Sequence, residues 1–349
     1  MTNPDIAKQR LYNQHISRQV FKQAEELVKW LGAVQAQDYG SAKWALGLRL
    51  QNAKDETIEK AVAGGSIIRL HVLRPTWHFV SPSDVRWMLD LTAPRIYAAS
   101  ASQNRMLQLD SAVFKRSNDA LAKALADGRQ LPRAELAAVL EKAGIKTSEQ
   151  RFIHLLMRAE LDKVICSGAR QGKQFTYALF DDRVPASAPL LKDEALAQLA
   201  KRYFISRGPA TVRDFSWWSG LAGADAGRGL DIVKSELISI TANGREYWMA
   251  PDMQPSNLKA PVAHLLPAFD EFAVAYNDRT AIVKPAYLNQ ARYVIFDPVI
   301  VVNNQVTGNW KRSISKSKID ITLTPFGKLT KSDIKSVDAA GKRYRKFIR

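Results

Sequence analysis

Cysteine, acidic residues and long apolar runs are scarce in this 349-residue chain, and the scarcity of each limits what the protein can be. Cys166 is the only cysteine, so one chain can form neither an internal disulfide nor a cysteine-based zinc or iron–sulfur site. No apolar run approaches the roughly 20 residues that a transmembrane helix needs, and the first residues lack the apolar core of a signal peptide. We therefore expect a cytoplasmic protein without a membrane-spanning segment.

The common catalytic signatures are also missing. The sequence contains no Gly-rich phosphate loop followed by Lys-Ser/Thr, no HExxH and no G-x-S-x-G nucleophile elbow. For each of the five histidines, packing or hydrogen bonding is favoured over metal ligation. No metal or organic cofactor is expected.

The shortage of acidic residues leaves a large positive charge. Lys and Arg number 51 against 34 Asp and Glu, a formal net charge of +17. Such a charge favours nucleic acid as the partner, because cations that neutralise phosphates release condensed counterions. An anionic membrane surface is the rival. Residues 311–349 carry twelve Lys or Arg and three Asp, a net charge of +9, and form either a solvated basic terminus or a phosphate-contacting segment.

One order of elements, helices followed by a pair of β-rich runs, occurs three times along the chain. In the first round, the apolar spacing over 24–35 and 55–65 predicts helices, with Gly32 as a helix C-cap. The β-branched and aromatic residues of 67–80 predict a hairpin. This is the order of a winged-helix module.

The second round has predicted helices over 131–145 and 147–164, the latter begun by a capping box from Thr147 to Gln150. Two β-rich runs follow over 165–180, around a basic loop that contains glycine. That loop is typical of a wing.

The third round runs through predicted helices to a hairpin whose turn is Asn243-Gly244. After about residue 255, β-rich runs over 263–276, 291–312 and 318–326 predict a small antiparallel barrel or sheet. We therefore predict an α+β protein of four parts. They are winged helices at 1–95, 96–186 and 187–256 and a β domain with a basic tail at 257–349.

Two glutamines two residues apart follow the end of the first predicted helix. Gln35 and Gln37 would point the same way, toward one ligand, only if the backbone there is extended. Taken from the residues alone, the segment is better explained as a polar turn in which Asp38 caps a helix that begins near Ser41.

Five blocks spread along the chain resemble the bacterial AlkZ-like DNA glycosylases. The blocks are GAVQAQDYGSAKWALGLR, RPTWHFVSPSD, RGPATVRDFSWWSGL, LLPAFDEFAVAYNDR and DPVIVVNNQVTGNWKR. They occur in the same order as in the family, and the similarity extends from about residue 8 to about residue 312. Several blocks in four regions are far more specific than one short motif.

The resemblance implies three tandem winged helices followed by a β-barrel, in a C-shaped monomer that takes duplex DNA on its concave face. It also implies hydrolysis of the N-glycosidic bond of N7-alkylated purines, and it leaves open whether interstrand crosslinks are unhooked. The family's catalytic signature is glutamine, an apolar residue, then glutamine or aspartate. In this chain it corresponds to Gln35-Ala36-Gln37.

Amides suffice for this reaction because an alkylated purine leaves as a neutral base without protonation, while positive charge develops on the sugar. The expected roles are water positioning for Gln37 and sugar or water orientation for Gln35, and the two roles can be exchanged. The resemblance further suggests that a hairpin around Asn303 to Trp310 probes the minor groove.

Basic residues in or beside the predicted wings and hairpins are the expected phosphate contacts. Two non-enzymatic alternatives stay open: a winged-helix DNA-binding regulator, and a scaffold within a repair or RNA assembly. The expected DNA-binding residues are Arg69, Arg74, Arg170, Lys173, Arg245, Lys311 and Arg312.

Overall fold

A computed structural model describes residues 1–148, 150–251, 262–315 and 318–349, which form a mixture of helices and short antiparallel strands. Its helices alternate with the strands along the whole chain. The helices are α1 (Asn3–Asn13), α2 (Ala24–Leu31), α3 (Tyr39–Arg49), α4 (Asp55–Ala63), α5 (Pro82–Met106), α6 (Ser111–Leu125), α7 (Arg133–Lys142), α8 (Arg151–Leu161), α9 (Lys192–Arg207), α10 (Val212–Ser219), α11 (Gly223–Val233), α12 (Glu271–Val274) and α13 (Lys331–Ile348).

The strands are two to ten residues long. They are β1 (Ala33–Gln35), β2 (Ile68–Val72), β3 (Arg74–Val80), β4 (Leu131–Pro132), β5 (Ile165–Ser167), β6 (Thr176–Leu179), β7 (Ile238–Ala242), β8 (Arg245–Met249), β9 (Ala263–Leu266), β10 (Val299–Val302), β11 (Gln305–Ile314) and β12 (Ile319–Pro325).

The chain folds into two compact units. The first comprises residues 1–59, 196–218 and 222–349, and the second comprises residues 60–195 and 219–221. The predicted boundary between residues 256 and 257 lies outside the described residues. We describe each unit by itself.

The second unit has an apolar core on which α6, α7 and α8 pack against a three-stranded sheet of order β4-β6-β5. Leu121, Leu136 and Leu155 are fully buried there. Cys166 on β5 is also fully buried, and burial raises the pKa of its thiol to about 12. The predicted hairpin over 67–80 is confirmed as β2 and β3, which are paired in antiparallel register.

The predicted start of the helix that follows α7 is wrong. Gln150, not Thr147, precedes the first helical residue of α8, and its side chain makes no capping hydrogen bond. The Thr147 hydroxyl instead donates to Glu141 at 2.5 Å, near the end of α7. Thr147 lies four residues before Arg151, too far from the helix to cap it.

In the first unit, the hairpin predicted at Asn243-Gly244 is confirmed as β7 and β8. Asn243 and Gly244 have φ angles of +51° and +70°. Both central residues of a type I′ turn require positive φ, which asparagine tolerates and glycine adopts without strain. The turn therefore fixes the register in which Ala242 pairs with Arg245.

The β-rich C-terminal region forms an open sheet of order β12-β11-β10-β9, and within the described residues no pairing closes it into the predicted barrel. The run predicted as β over 263–276 ends early, because β9 stops at Leu266 and α12 begins at Glu271. Asp270 accepts a hydrogen bond from the Phe272 N–H at 2.9 Å, which caps this short helix and ends the extended conformation.

The basic C-terminus is a helix and not only a solvated tail. Thr330 and Asp333 form a reciprocal capping box at the start of α13. The buried face of α13 packs on α3, where the Tyr344 ring lies 5.1 Å from Trp44 and Phe347 lies over Gly47. Lysines and arginines occupy the opposite face.

Candidate active site

The segment that carries the two glutamines links α2 to α3. Helix α2 ends at Leu31, with Gly32 as its C-cap at a φ of +74°. The predicted cap at Gly32 is therefore confirmed, although the helical spacing was extended to residue 35, four residues too far. Positive φ is a conformation that glycine adopts at little cost. The chain then runs extended through β1, whose last residue is Gln35. Asp38 caps α3 as predicted, since its Oδ1 accepts from the Ser41 N–H at 2.7 Å.

The two glutamines differ in exposure. Gln35 is only 6% exposed, whereas Gln37, in the bend after β1, is exposed. In the described part of the chain the Gln37 side chain makes no hydrogen bond. One amide is therefore held within the protein, and the other is available to a ligand.

A buried ion pair lies beside β1. The Arg207 guanidinium, at the end of α9, donates from Nη2 and Nε to Glu271 Oε2 at 2.7 and 3.0 Å, and both side chains are fully buried. Glu271 Oε1 accepts a hydrogen bond from the Gln35 backbone N–H at 2.9 Å. The indole N–H of Trp218 donates to Glu271 Oε2 at 3.0 Å. Both carboxylate oxygens are thus satisfied without water.

A second charged contact lies on the exposed side of the segment. Arg312 on β11 is 3.9 Å from the Asp38 carboxylate, and a Cβ on Gly40 would lie 3.0 Å from its Nη2. A side chain larger than hydrogen at residue 40 would therefore push the guanidinium away. Both side chains are partly exposed, so Arg312 lies opposite the Asp38 carboxylate at the surface, one residue after Gln37 in the chain.

Two of the predicted DNA contacts lie against the same aromatic ring. Arg69 on β2 is 8% exposed, and its guanidinium lies 4.7 Å from the ring centres of Trp77 and Phe175. Arg170, in the loop between β5 and β6, lies 5.4 Å from the Phe175 ring. The buried position of Arg69 favours packing over contact with phosphate.

The other predicted cations lie at strand ends and loop tips. Arg74, the first residue of β3, is partly buried, and Arg245, the first residue of β8, forms an ion pair with Asp278. Lys173, in the loop between β5 and β6, and Lys311, on β11, are exposed. Arg312, within the same unit as the glutamine segment, lies 3.9 Å from Asp38 in that segment.

Sequence reasoning missed the three residues that surround β1. They are Arg207, Trp218 and Glu271, which fall within the blocks that resemble the AlkZ-like family. No local sequence pattern links these residues to Gln35. Their signal was chemical: charged residues within apolar runs need a buried partner. Among the described residues, no group of three or more His, Cys, Asp or Glu could hold a metal ion, and no helix is long and apolar enough to cross a membrane.

Comparison with known proteins agrees on one family. The family model for DNA glycosylase AlkZ-like proteins matches residues 28–347. The interstrand DNA cross-link repair glycosylase of Streptomyces sahachiroi is 24% identical, over 94% of this chain and 92% of its own length. The solved structure of Streptomyces sahachiroi DNA glycosylase AlkZ superposes with a TM-score of 0.79 at 21% identity, covering 99% of this chain and 96% of that chain. The chain belongs to the AlkZ-like DNA glycosylase family.

Proposed function

We propose that this protein is a monofunctional DNA glycosylase that hydrolyses the N-glycosidic bond of N7-alkylated purines in duplex DNA, with Gln35 and Gln37 as its catalytic residues. The observation that carries the proposal is the glutamine segment itself. Gln37 is exposed in the bend after β1, the backbone of β1 is held by a buried ion pair, and Arg312 lies 3.9 Å from the neighbouring Asp38. The similarity to the interstrand DNA cross-link repair glycosylase of Streptomyces sahachiroi supports crosslinked DNA as a further substrate.

In the proposed reaction, a water oxygen bonds to C1′ while the bond from C1′ to N9 of the base breaks. The bonding electrons go to the base, which loses its positive charge and leaves neutral, and the water releases its proton to solvent. The exposed amide of Gln37 orients the water, and its oxygen dipole faces the developing cation. Gln35, which is largely buried, orients the water or the sugar.

The order of elements in two segments supports a winged-helix protein that binds DNA. In the second unit, the elements follow the order α6, β4, α7, α8, β5, β6, with a sheet of order β4-β6-β5. In the first unit, α9, α10 and α11 precede the β7–β8 hairpin, and Ala210 pairs with Trp248 as a short third strand would. We propose these segments as the modules at 96–186 and 187–256. The module at 1–95 rests on the order of its helices and its β-rich runs, and the C-shape rests on the resemblance.

The hairpin best placed to probe a groove is β11–β12. In the hairpin expected around Asn303 to Trp310, the turn is exposed at Asn303, but the strand from Gln305 to Gly308 is buried. The outer half of β11 is exposed instead, and Ile314 presents 53% of its surface. An exposed apolar residue on a strand that also carries Lys311 and Arg312 suits insertion between base pairs.

Helix α13 supplies a second basic surface. Its five exposed cations recur along one face of a helix about 27 Å long. In the described part of the chain, none of them lies within ion-pair distance of an acidic side chain. We propose that this α13 stripe contacts DNA phosphates. It consists of Lys331, Lys335, Lys342, Lys346 and Arg349.

The test is release of 7-methylguanine from alkylated duplex DNA. We expect release by the wild type, a loss of about 10²-fold or more in the single-turnover rate for Gln35→Ala/Gln37→Ala, and unchanged DNA affinity. Gln23→Ala is the matched control, since Gln23 is exposed and makes no capping hydrogen bond. Tight DNA binding without release by the wild type would instead indicate a non-enzymatic DNA-binding protein or a narrower choice of lesion.

A further inference from the structure

Strand β1 is unusual in that one of its edges is hydrogen-bonded by side chains. Arg207 donates from Nη1 to the Leu31 carbonyl at 2.5 Å and from Nη2 to the Ala33 carbonyl at 2.7 Å. Glu271 accepts from the Gln35 N–H at 2.9 Å. These backbone groups belong to alternate residues, which point to the same edge of an extended chain. The ion pair therefore occupies the position that a neighbouring strand would take.

The ion pair is itself immobilised. The Trp218 ring lies 4.3 Å from the guanidinium carbon of Arg207, and its indole N–H donates to Glu271. The Nη1 of Arg207 also lies 2.9 Å from the Ser206 hydroxyl. A planar guanidinium with several partners has little rotational freedom left, and burial strengthens each of these hydrogen bonds.

We infer that Arg207 and Glu271 are positioning residues for the glutamine pair. They hold the backbone of β1 extended up to Gln35, and so determine the directions in which the Gln35 and Gln37 side chains point. This inference rests on the proposed function. Neither residue touches substrate; both act through the β1 backbone, because a catalytic amide displaced by about 1 Å loses much of its effect.

The neighbouring residue in the chain provides a matched control. Asp270 forms a bidentate ion pair with Arg49, with both distances 2.8 Å and side-chain exposures of 1–2%. The other contacts of Arg49 are the Ala45 carbonyl and the Gln14 side chain. This pair resembles the Arg207–Glu271 pair in burial and geometry. Its other hydrogen bonds go to α3, to Gln14 at the end of α1 and to the Phe272 N–H at the start of α12, and not to β1. Because asparagine also caps helices, Asp270→Asn keeps the cap of α12.

The experiment compares Arg207→Lys and Glu271→Gln with Arg49→Lys and Asp270→Asn. Each lysine keeps the charge and loses the bidentate geometry. We expect all four variants to melt at lower temperature than the wild type. Corrected for folded fraction, Arg207→Lys and Glu271→Gln should reduce the single-turnover rate of base release by about 10- to 10²-fold with unchanged DNA affinity, whereas Arg49→Lys and Asp270→Asn should keep the wild-type rate.

Two further measurements separate positioning from stability. Placed in the Gln35→Ala/Gln37→Ala background, Arg207→Lys should cause no additional loss of rate, because its effect passes through the glutamines. Hydrogen exchange at the Gln35 amide should accelerate in Glu271→Gln and not in Arg49→Lys. Equal rate losses in the two Arg→Lys variants, or an unchanged exchange rate at Gln35, would overturn the inference. If the wild type releases no base, the proposed function fails. The exchange measurement then still tests whether Arg207 and Glu271 fix the backbone of β1.

Discussion

Replacing Gly47 by alanine tests the packing of α13 on α3 with a single methyl group. An alanine Cβ at residue 47 would lie 2.3 Å from Cε2 of Phe347, far inside van der Waals contact. Phe347 is 2% exposed, so its ring has to leave its site. Expelling a buried phenylalanine costs about 1.5–3 kcal/mol, and Gly→Ala within a helix returns about 0.5–1 kcal/mol. We expect a net loss of about 0.5–2.5 kcal/mol in the free energy of unfolding.

The assay is urea denaturation of Gly47→Ala beside Gly227→Ala. Gly227 lies within α11, and its added methyl group would meet no atom within 4 Å. Gly227→Ala should therefore stabilise the protein by about 0.5–1 kcal/mol, opposite in sign to Gly47→Ala. Stabilisation by both substitutions would refute the close approach of α13 to α3. A smaller m-value in Gly47→Ala alone would indicate that α13 has detached.

Two other predictions concern pH and salt. Burial lowers the pKa of His15 and of His264 to about 4. Between about pH 6.5 and pH 4 the unfolded chain binds protons that the folded chain does not. Stability is therefore full above pH 6.5 and falls toward pH 4, by about 3 kcal/mol at most for each histidine. Separately, replacing Lys335, Lys342 and Lys346 by glutamine should reduce the slope of log affinity for duplex DNA against log salt, by up to about 0.9 for each phosphate that the protein no longer neutralises.

Each of these two predictions has a direct check. In His264→Gln, the free energy of unfolding should fall less steeply between pH 6.5 and pH 4 than in the wild type. An unchanged pH dependence would contradict the lowered pKa of His264. For the salt series, the control removes the same charge from exposed lysines elsewhere, by replacing Lys22, Lys29 and Lys142 with glutamine. An equal change of slope in both triple variants would mean that the α13 stripe has no special contact with DNA.

Local chemistry made much of the fold predictable. Asn243-Gly244 specifies its turn through the φ angles it allows, and Asp38 caps α3 because a short carboxylate before a helix accepts its free N–H groups. Helix α13 had a readable signal too. Val337, Gly341, Tyr344 and Phe347 recur every three or four residues, but the high density of charge led to interpretation as a basic terminus, either solvated or in contact with phosphate.

The surroundings of Gln35 were not predictable from local patterns. Arg207 and Glu271 are 64 residues apart in sequence, and both lie far from β1 in the chain. Their pairing depends on where α9 and α12 pack, which neither helix periodicity nor turn chemistry specifies. The length of α2 was overestimated for a related reason. Val34 continues the apolar spacing of the helix, but Gly32 ends the helix and the buried ion pair holds the next residues extended.

The buried thiol of Cys166 makes the protein a convenient host for a spectroscopic label. A thiolate, not a thiol, attacks a maleimide, and a group with a pKa near 12 that is also shielded from solvent stays unreactive in the native protein. Because the chain has no other cysteine, one introduced on the surface would be the only one to react. Ile314→Cys would place a fluorophore on the β11–β12 hairpin, where its emission could report whether that hairpin enters the DNA.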